Sequence, residues 1–399
     1  MDAFSSQEDL TALPADRWSD QKHFLSEPLS VPSPLRWEVE ADGGPVLLLL
    51  DQTLLPVEES EVVCANVPDL VDAIRRLVVR GAPMLGLVGA YGVALAAARG
   101  YEVEDAALEL ASARPTAVNL ARGVETALAA YRVALLAGHE QNHSNPDRAP
   151  DRARASAAAA ALDAAQLLHQ QDAAASSALA AHGRTLLDEL VPAGGMRVLT
   201  HCNTGSLVSG GEGTALAVVR AVHRAGRLRR LWVGETRPLL QGSRLTAYEA
   251  SRAGMPFTVL ADAAAGALMA AGEVDAVLVG ADRIVADGST ANKVGTYPLA
   301  VLARYHHVPF VVVAPVSSVD YDTAGGDEIE VEHRQAAEVT ELAGTQIAPA
   351  GAGAYNPAFD VTPPELITAI VTDLGAMSPV TQESISDLRI RSRSGNESM

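Results

Sequence analysis

Along the second half of this chain, runs of consecutive apolar residues alternate with segments whose apolar positions recur at helical spacing. The runs are RVLTHC (197–202), RLWVGETR (230–237), FTVLAD (257–262), DAVLVGAD (275–282) and PFVVVAP (309–315), and between them lie segments such as GTALAVVRAVHRAG and KVGTYPLAVLARYHH. Unbroken β-branched runs separated by amphipathic helices predict parallel strands covered on both faces. The expected architecture of residues 179–375 is therefore α/β, a Rossmann-like, doubly wound parallel sheet.

The first half is patterned differently. VLLLLDQTLLP reads as a strand entering a Pro turn and EVVCANV as another, and two helical patterns separated by RGAP follow in VPDLVDAIRRLVVRGAPMLGLVGAYGVALAAARG. A smaller N-terminal α+β domain is expected over 34–136. Residues 137–178 read as an insertion: GHEQNHSNPDRAPDRARAS has too little apolar area to order itself, and the Ala/Gln-rich stretch after it has high helix propensity and reads as a linker helix. Residues 1–33 and 376–399 lack sustained periodicity and read as a mobile leader and a mobile tail.

In open α/β sheets ligands bind beyond the carboxyl ends of the strands. Those ends carry His201-Cys202-Asn203, Glu235-Thr236-Arg237, Asp262 and Asp282-Arg283, so several strands deliver polar groups to one edge. Cys202 by itself reads equally as a small buried hydrophobe, but its Asn203-Thr204-Gly205 flank suits a turn that turns thiol and backbone N–H groups toward one cavity. Asp282 reads either as a cap or partner of Arg283, or as a desolvated carboxyl able to donate a proton near neutral pH.

RGAP (80–83) starts a helix with Pro83, leaving first-turn N–H groups near Gly81 and Ala82 with Arg80 beside them, an arrangement suited to phosphate. Arg114, before a Pro turn, reads as a second anion clamp or a surface charge. Asn292 and Lys293 are expected to open the helix after Asp282, as a cap or as an anion site. The Ser, Thr and Gln residues of RPLLQGSRLTAYE (237–249) suit a polyhydroxylated ligand, or simply an amphipathic helix. SGGEGTA (209–215) lacks nucleotide-loop spacing, and without HExxH or paired CxxC no metal is implied.

Charge narrows the partners. Thirty Lys+Arg against 49 Asp+Glu give a net −19, which argues against a nucleic-acid or anionic-membrane surface and leaves any anionic ligand to a few local cations. The longest apolar run, APMLGLVGAYGVALAAA, is interrupted by glycine and too short to span a bilayer, so no membrane partner is expected. Two distant cysteines, and a polar, acidic opening without a signal-peptide pattern, suggest free thiols in a reducing cytoplasm.

Taken together, LLDQTLLP, VVRGAPMLGLVGAYGVALA, ARPTAVNL, LTHCNTGSL, ETRPLLQGSRLTAYE, VGADRIVADGSTANKVGTYPLAVLA and YNPAFDVTP resemble the methylthioribose-1-phosphate isomerase family, which also contains the initiation factor 2B regulatory subunits. The resemblance runs from about residue 35 to 372, apart from the insertion; each block is weak, and their order is specific. It implies an aldose–ketose isomerase of methionine salvage, converting 5-methylthioribose 1-phosphate to 5-methylthioribulose 1-phosphate as a homodimer without metal or organic cofactor. Carried over by motif, Cys202 and Asp282 become the catalytic pair, with the aspartate as proton donor, and Arg80, Gly81, Ala82, Arg114, Gln241, Asn292 and Lys293 bind substrate. Gly234 before ETRP and GSL after HCNT depart from the family pattern and bear on the pocket around sugar C5. The resemblance also leaves a ribose-1,5-bisphosphate or deoxyribose-1-phosphate isomerase, or a non-catalytic initiation factor 2B-like regulatory subunit, as alternatives.

Overall fold

The computed structural model describes residues 29–39, 43–114, 117–141, 149–192 and 194–396; the expected leader falls mainly outside the described residues. Strands β1 (Leu35–Val39), β2 (Pro45–Leu50) and β3 (Glu61–Cys64) form an antiparallel sheet in that order. Helices α1 (Val67–Arg75), α2 (Ala82–Arg99), α3 (Val103–Ser112) and α4 (Val118–Gln141) pack against it around Leu47, Leu49, Leu70, Ile74, Val88, Leu95 and Leu110.

Helix α2 differs from the sequence expectation. By length and composition its 18 residues could cross a membrane, yet 72% of it is buried inside the protein. Its glycines are contact points rather than interruptions. A Cβ on Gly123 of α4 would lie 1.9 Å from the Gly86 carbonyl oxygen of α2, so the two backbones approach to a distance only glycine permits.

Helix α5 (Ala149–Leu190) is a single 42-residue element. Residues 142–148 lie outside the described residues. The flanking sequence is nonetheless helical, because Ala153, Ala157, Ala161 and Ala165 repeat every fourth residue and form a buried stripe small enough for close helix contact. Ala165 joins the N-terminal core while Leu179 and Leu187 join the core under the large sheet, so one helix is rooted in both halves of the molecule.

The C-terminal half contains β4 (Met196–Thr200), α6 (Ala215–Arg224), β5 (Leu228–Gly234), α7 (Ala247–Arg252), β6 (Phe257–Leu260), α8 (Ala265–Ala270), β7 (Ala276–Val279), β8 (Arg283–Val285), β9 (Thr290–Lys293), α9 (Thr296–Tyr305) and β10 (Phe310–Val313). A seven-stranded sheet runs Gly375–Met377, Ala369–Thr372, β10, β7, β4, β5, β6, parallel except for the Gly375–Met377 edge. Chain order steps outward from β4 in both directions, so a topological switch point opens between the carboxyl ends of β4 and β7.

Two local expectations are corrected. Asn292 and Lys293 sit in strand β9, not at a helix start. Asp287-Gly288 makes a hairpin turn between β8 and β9, with Gly288 at φ +91° and the Asp287 carboxylate accepting the Ser289 N–H at 2.7 Å. The tail read as mobile is folded through residue 396: helix Gln382–Asn396 buries Ile385 and Leu388 against the sheet core.

The tightness of the α2–α4 contact is testable. Gly123→Ala should gain about 1 kcal/mol of helix propensity and lose about 1–3 kcal/mol or more to overpacking, for a net loss. The urea midpoint is expected to fall, and an unchanged or raised midpoint would show that the helices separate without penalty.

Candidate active site

Beyond the ends of β4 and β7 lies a partly open cavity. Arg80, Gly81, Ala82, Arg114, Cys202, Gln241, Asp282, Asn292 and Lys293, the residues carried over by motif as catalytic or substrate-binding, line it. They arrive from separate elements: the start of α2, the segment before α4, the β4 turn, the segment after β5, the end of β7 and the β9 strand.

The chain leaves β4 through a strained turn. Cys202 adopts φ +62° and Thr236, after β5, φ +67°, conformations that non-glycine residues hold only when their surroundings enforce them. Two hydrogen bonds, one on each side of the Cys202 backbone, hold the turn. The Cys202 N–H donates to the Thr236 hydroxyl at 2.8 Å, and the Thr246 hydroxyl donates to the Cys202 carbonyl at 2.6 Å. Cys202 is 8% exposed, with access from the cavity. The other cysteine, Cys64, is buried in the N-terminal core, where desolvation pushes its thiol to about 12.

Behind this turn sits Glu249, fully buried. Its carboxylate accepts hydrogen bonds from Asn203 Nδ2, the Ser206 N–H and hydroxyl, and Arg220 Nη2, each at 2.8 Å. Asn203 in turn accepts from Arg80 Nη2 at 2.6 Å. Arg80, contributed by the N-terminal half, is thus fixed to the same turn that presents Cys202.

At the end of β7, the Asp282 N–H donates to the Ala291 carbonyl at 2.9 Å, holding the β8–β9 hairpin against that strand end. Burial raises the Asp282 pKa, and the charges of Lys293, Arg114 and Arg80 oppose that shift without reversing it. Burial likewise lowers Lys293, opposed by Cys202 and Asp282. Lys293 Nζ donates to the Ala358 carbonyl at 2.9 Å and lies 5.1 Å from the Phe359 ring centroid.

Several polar groups face this cavity with capacity to spare. Gln241 is 3% exposed and its Oε1 has no hydrogen-bond partner, and Arg80 Nε is likewise buried and unpartnered. Buried polar atoms in such a state are suited to a polar ligand. Gly81 caps α2 at φ +90° without a side-chain bond, so the first-turn N–H groups that follow have no intrahelical acceptor.

Not every strand-end group converges here. His201 and Asp262 line a separate, mainly apolar cavity beside α8 and α9, and Asp262 accepts the Thr236 and Arg237 N–H groups at 2.8 and 2.7 Å. Conversely, Arg334 lines the main cavity from an exposed, polar segment whose sequence carries no periodic signal. It is paired with Glu332, which also contacts Arg114 at 3.4 Å, and with Glu338. Glu249 left one trace in the sequence: it lies four residues after the buried Leu245, placing an acid on the helix face that enters the core.

Residues 78–379 match the family model described as the initiation factor 2 subunit family. The chain belongs to that family. It is similar to methylthioribose-1-phosphate isomerases of Pelotomaculum thermopropionicum, at 46% identity over 360 residues covering 88% of this chain and 92% of that protein, and of Marinobacter nauticus, at 46% over 349 residues covering 86% and 92%. Among solved structures, 5-methylthioribose 1-phosphate isomerase from Pyrococcus horikoshii OT3 superposes with a TM-score of 0.74 at 36% identity, covering 90% of this chain and 97% of that one. A chain described as translation initiation factor eIF-2B, subunit delta, from A. fulgidus superposes at 0.72 with 38% identity, covering 88% and 98%. The mixed α/β fold with its mainly parallel sheet is common to these relatives.

The raised Asp282 pKa predicts a pH-dependent stability difference. Its folded-state pKa lies above its unfolded value of about 3.9, so its effect on stability is neutral below that value, grows more unfavourable as pH rises from there to the folded pKa, and is constant above it. Asp282→Asn should therefore gain on the wild type in melting temperature as pH rises from about 4 towards the folded pKa of Asp282. A melting difference that stays constant, or moves in the wild type's favour, would contradict the desolvated carboxyl.

Proposed function

We propose that this protein is an aldose–ketose isomerase that converts 5-methylthioribose 1-phosphate to 5-methylthioribulose 1-phosphate in methionine salvage. The observation that carries the reading is that Cys202 and Asp282 line one cavity at the switch point together with Arg80, Arg114 and Lys293. The similarity at 46% identity to proteins named for this reaction supports it. Cytoplasmic location and a homodimeric assembly belong to the same reading, and sedimentation of the purified protein tests the latter.

The chemistry follows from the substrate. A sugar phosphorylated at C1 cannot open its own ring, because the anomeric oxygen is esterified. A proton from the Asp282 carboxyl to the ring oxygen lets the C1–O bond break, its electron pair passing to that oxygen and leaving cationic character at C1. Burial keeps a fraction of Asp282 protonated closer to neutrality, as this step needs.

A Cys202 thiolate, with Arg80 and Lys293 as counter-ions, then takes the C2 proton, and the C2–H electron pair becomes the C1–C2 double bond. The thiol returns the proton to C1 while the C2 hydroxyl proton passes to the Asp282 carboxylate, completing the ketose and restoring both side chains. Phosphate is held by Arg114, Lys293 and the first-turn N–H groups of α2 beside Arg80, which orients the sugar.

A second reading is favoured by the A. fulgidus resemblance: a subunit that binds a ligand without transforming it. Turnover assays with 5-methylthioribose 1-phosphate, ribose 1,5-bisphosphate and deoxyribose 1-phosphate separate the possibilities. Turnover of the methylthio sugar is expected, and turnover of none would favour the binding subunit.

Within this reading, Cys202→Ala and Asp282→Asn should each lower kcat by about 10²–10⁴-fold while product still binds, as expected for loss of an acid or base. Near-normal kcat in either variant would remove that residue from the chemistry. Arg114→Ala should instead raise KM by about 10–100-fold, the scale of a lost charge-assisted bond, with kcat largely kept. Substrate deuterated at C2 is expected to lose at least part of its label to solvent during turnover, which supports proton transfer through the C1–C2 double-bonded intermediate; full retention at C1 would favour hydride transfer or a base well shielded from water.

A further inference from the structure

His201 immediately precedes Cys202 but does not face the catalytic cavity. It is 2% exposed and points behind the site. Its Nε2 lies 2.8 Å from the carbonyl oxygen of Val294, the residue after Lys293. A carbonyl only accepts, so Nε2 carries the hydrogen and Nδ1 presents its lone pair in the neutral ring. Burial lowers the His201 pKa, which keeps that neutral form.

Nδ1 faces the Asp262 carboxylate at 3.8 Å. That carboxylate takes the Thr236 and Arg237 N–H groups, and the Thr236 hydroxyl takes the Cys202 N–H. From the far side, Gly295 N–H donates to Asp360 at 2.7 Å, and the Asp360 carboxylate also takes the Tyr297 N–H at the start of α9. The ring is confined by glycine on two sides: a Cβ on Gly295 would stand 2.8 Å from His201 Cε1, and one on Gly234 would stand 3.3 Å from Nδ1. Gly295 also holds φ +103°, so the backbone that presents the Val294 carbonyl is shaped around the imidazole.

We infer that His201 is a positioning residue for the isomerisation, whose Nε2–H bond to Val294 locks the Cys202 turn and the Asn292–Lys293 strand into one spacing across the cavity. This inference rests on the function proposed above. Of the proposed phosphate contacts, Arg114 and the α2 start come from the N-terminal half and do not run through His201, whereas Lys293 lies on the clamped strand. Losing the clamp should therefore impair the chemical step more than ground-state binding, because misplacement of a reacting group lowers rate more than affinity.

The charged or titratable groups facing the ring are Asp262 from the segment after β6 and Lys293 from β9, acting on it in opposite directions. Protonating Nδ1 would pair the ring with Asp262 without removing the Nε2 donor. The clamp is thus expected to hold on both sides of the imidazole titration.

The test compares two amides that differ by one methylene. His201→Gln places its amide nitrogen near the position of Nε2 and can reach Val294, whereas His201→Asn cannot. His201→Asn is expected to lose at least about tenfold in kcat with KM within about threefold, and His201→Gln to return to within about threefold of the wild-type kcat. Equal kcat in the two variants, or a better Asn than Gln variant, would overturn the inference.

Iodoacetamide labelling of Cys202, read by mass spectrometry on the same folded proteins, needs no substrate. The labelling rate should change in His201→Asn and be restored in His201→Gln. If the wild type turns over no sugar phosphate the proposed function fails by itself, and the labelling still decides: identical rates in both variants would show that His201 does not set the Cys202 turn.

Discussion

The cavity depends on a carboxylate that never reaches it. Glu249 lies fully buried and collects hydrogen bonds from the turn after β4, from Arg220 on α6 and, through Asn203, from Arg80 of the N-terminal half. A buried charge is tolerated when its hydrogen-bonding capacity is filled, and removing one partner of such a network typically destabilises by about 3–5 kcal/mol. That stake makes the network a device for exact spacing: Cys202 can sit at φ +62° because its neighbours on both sides are fixed by groups that have nowhere else to go. The close approach of Gly205 to the Glu249 carboxylate, where a Cβ would fall 2.2 Å from an oxygen, leaves the turn little room to relax.

Around this fixed point the electrostatics separate by depth. The surface carries the excess negative charge of a −19 chain, while the cavity gathers Arg80, Arg114, Lys293 and Arg334. An anionic ligand is repelled by the chain's overall charge and held by local cations, so recognition depends on entering the cleft. The same desolvation that raises Asp282 lowers Lys293, which moves acid and amine toward one another in pKa. Such opposed shifts suit proton transfer in a closed site.

Much of this was legible in the sequence, for definite reasons. β-branched runs ending in Cys202 and Asp282 marked the ends of β4 and β7, and RGAP marked a helix start with its glycine at positive φ. The hairpin that delivers Asn292 and Lys293 was misread as a helix start although Asp287-Gly288 carried the turn signal, because the apolar pattern of α9 begins only a few residues later. The tail helix was missed because its long polar sequence buries little beyond Ile385 and Leu388, too sparse a stripe to stand out. Glu249, Arg334 and the second cavity behind His201 depend on contacts between distant segments, to which local periodicity is blind.

The central claim is that one pentose phosphate lies between Cys202 and Asp282 in the switch-point cavity. A crystal structure with 5-methylthioribulose 1-phosphate bound tests it most directly. The account predicts the phosphate against Arg114, Lys293 and the α2 N–H groups, with C1 and C2 between the Cys202 sulfur and the Asp282 carboxyl. A ligand seated in another cavity, or one in this cavity touching only one of those two side chains, would contradict it.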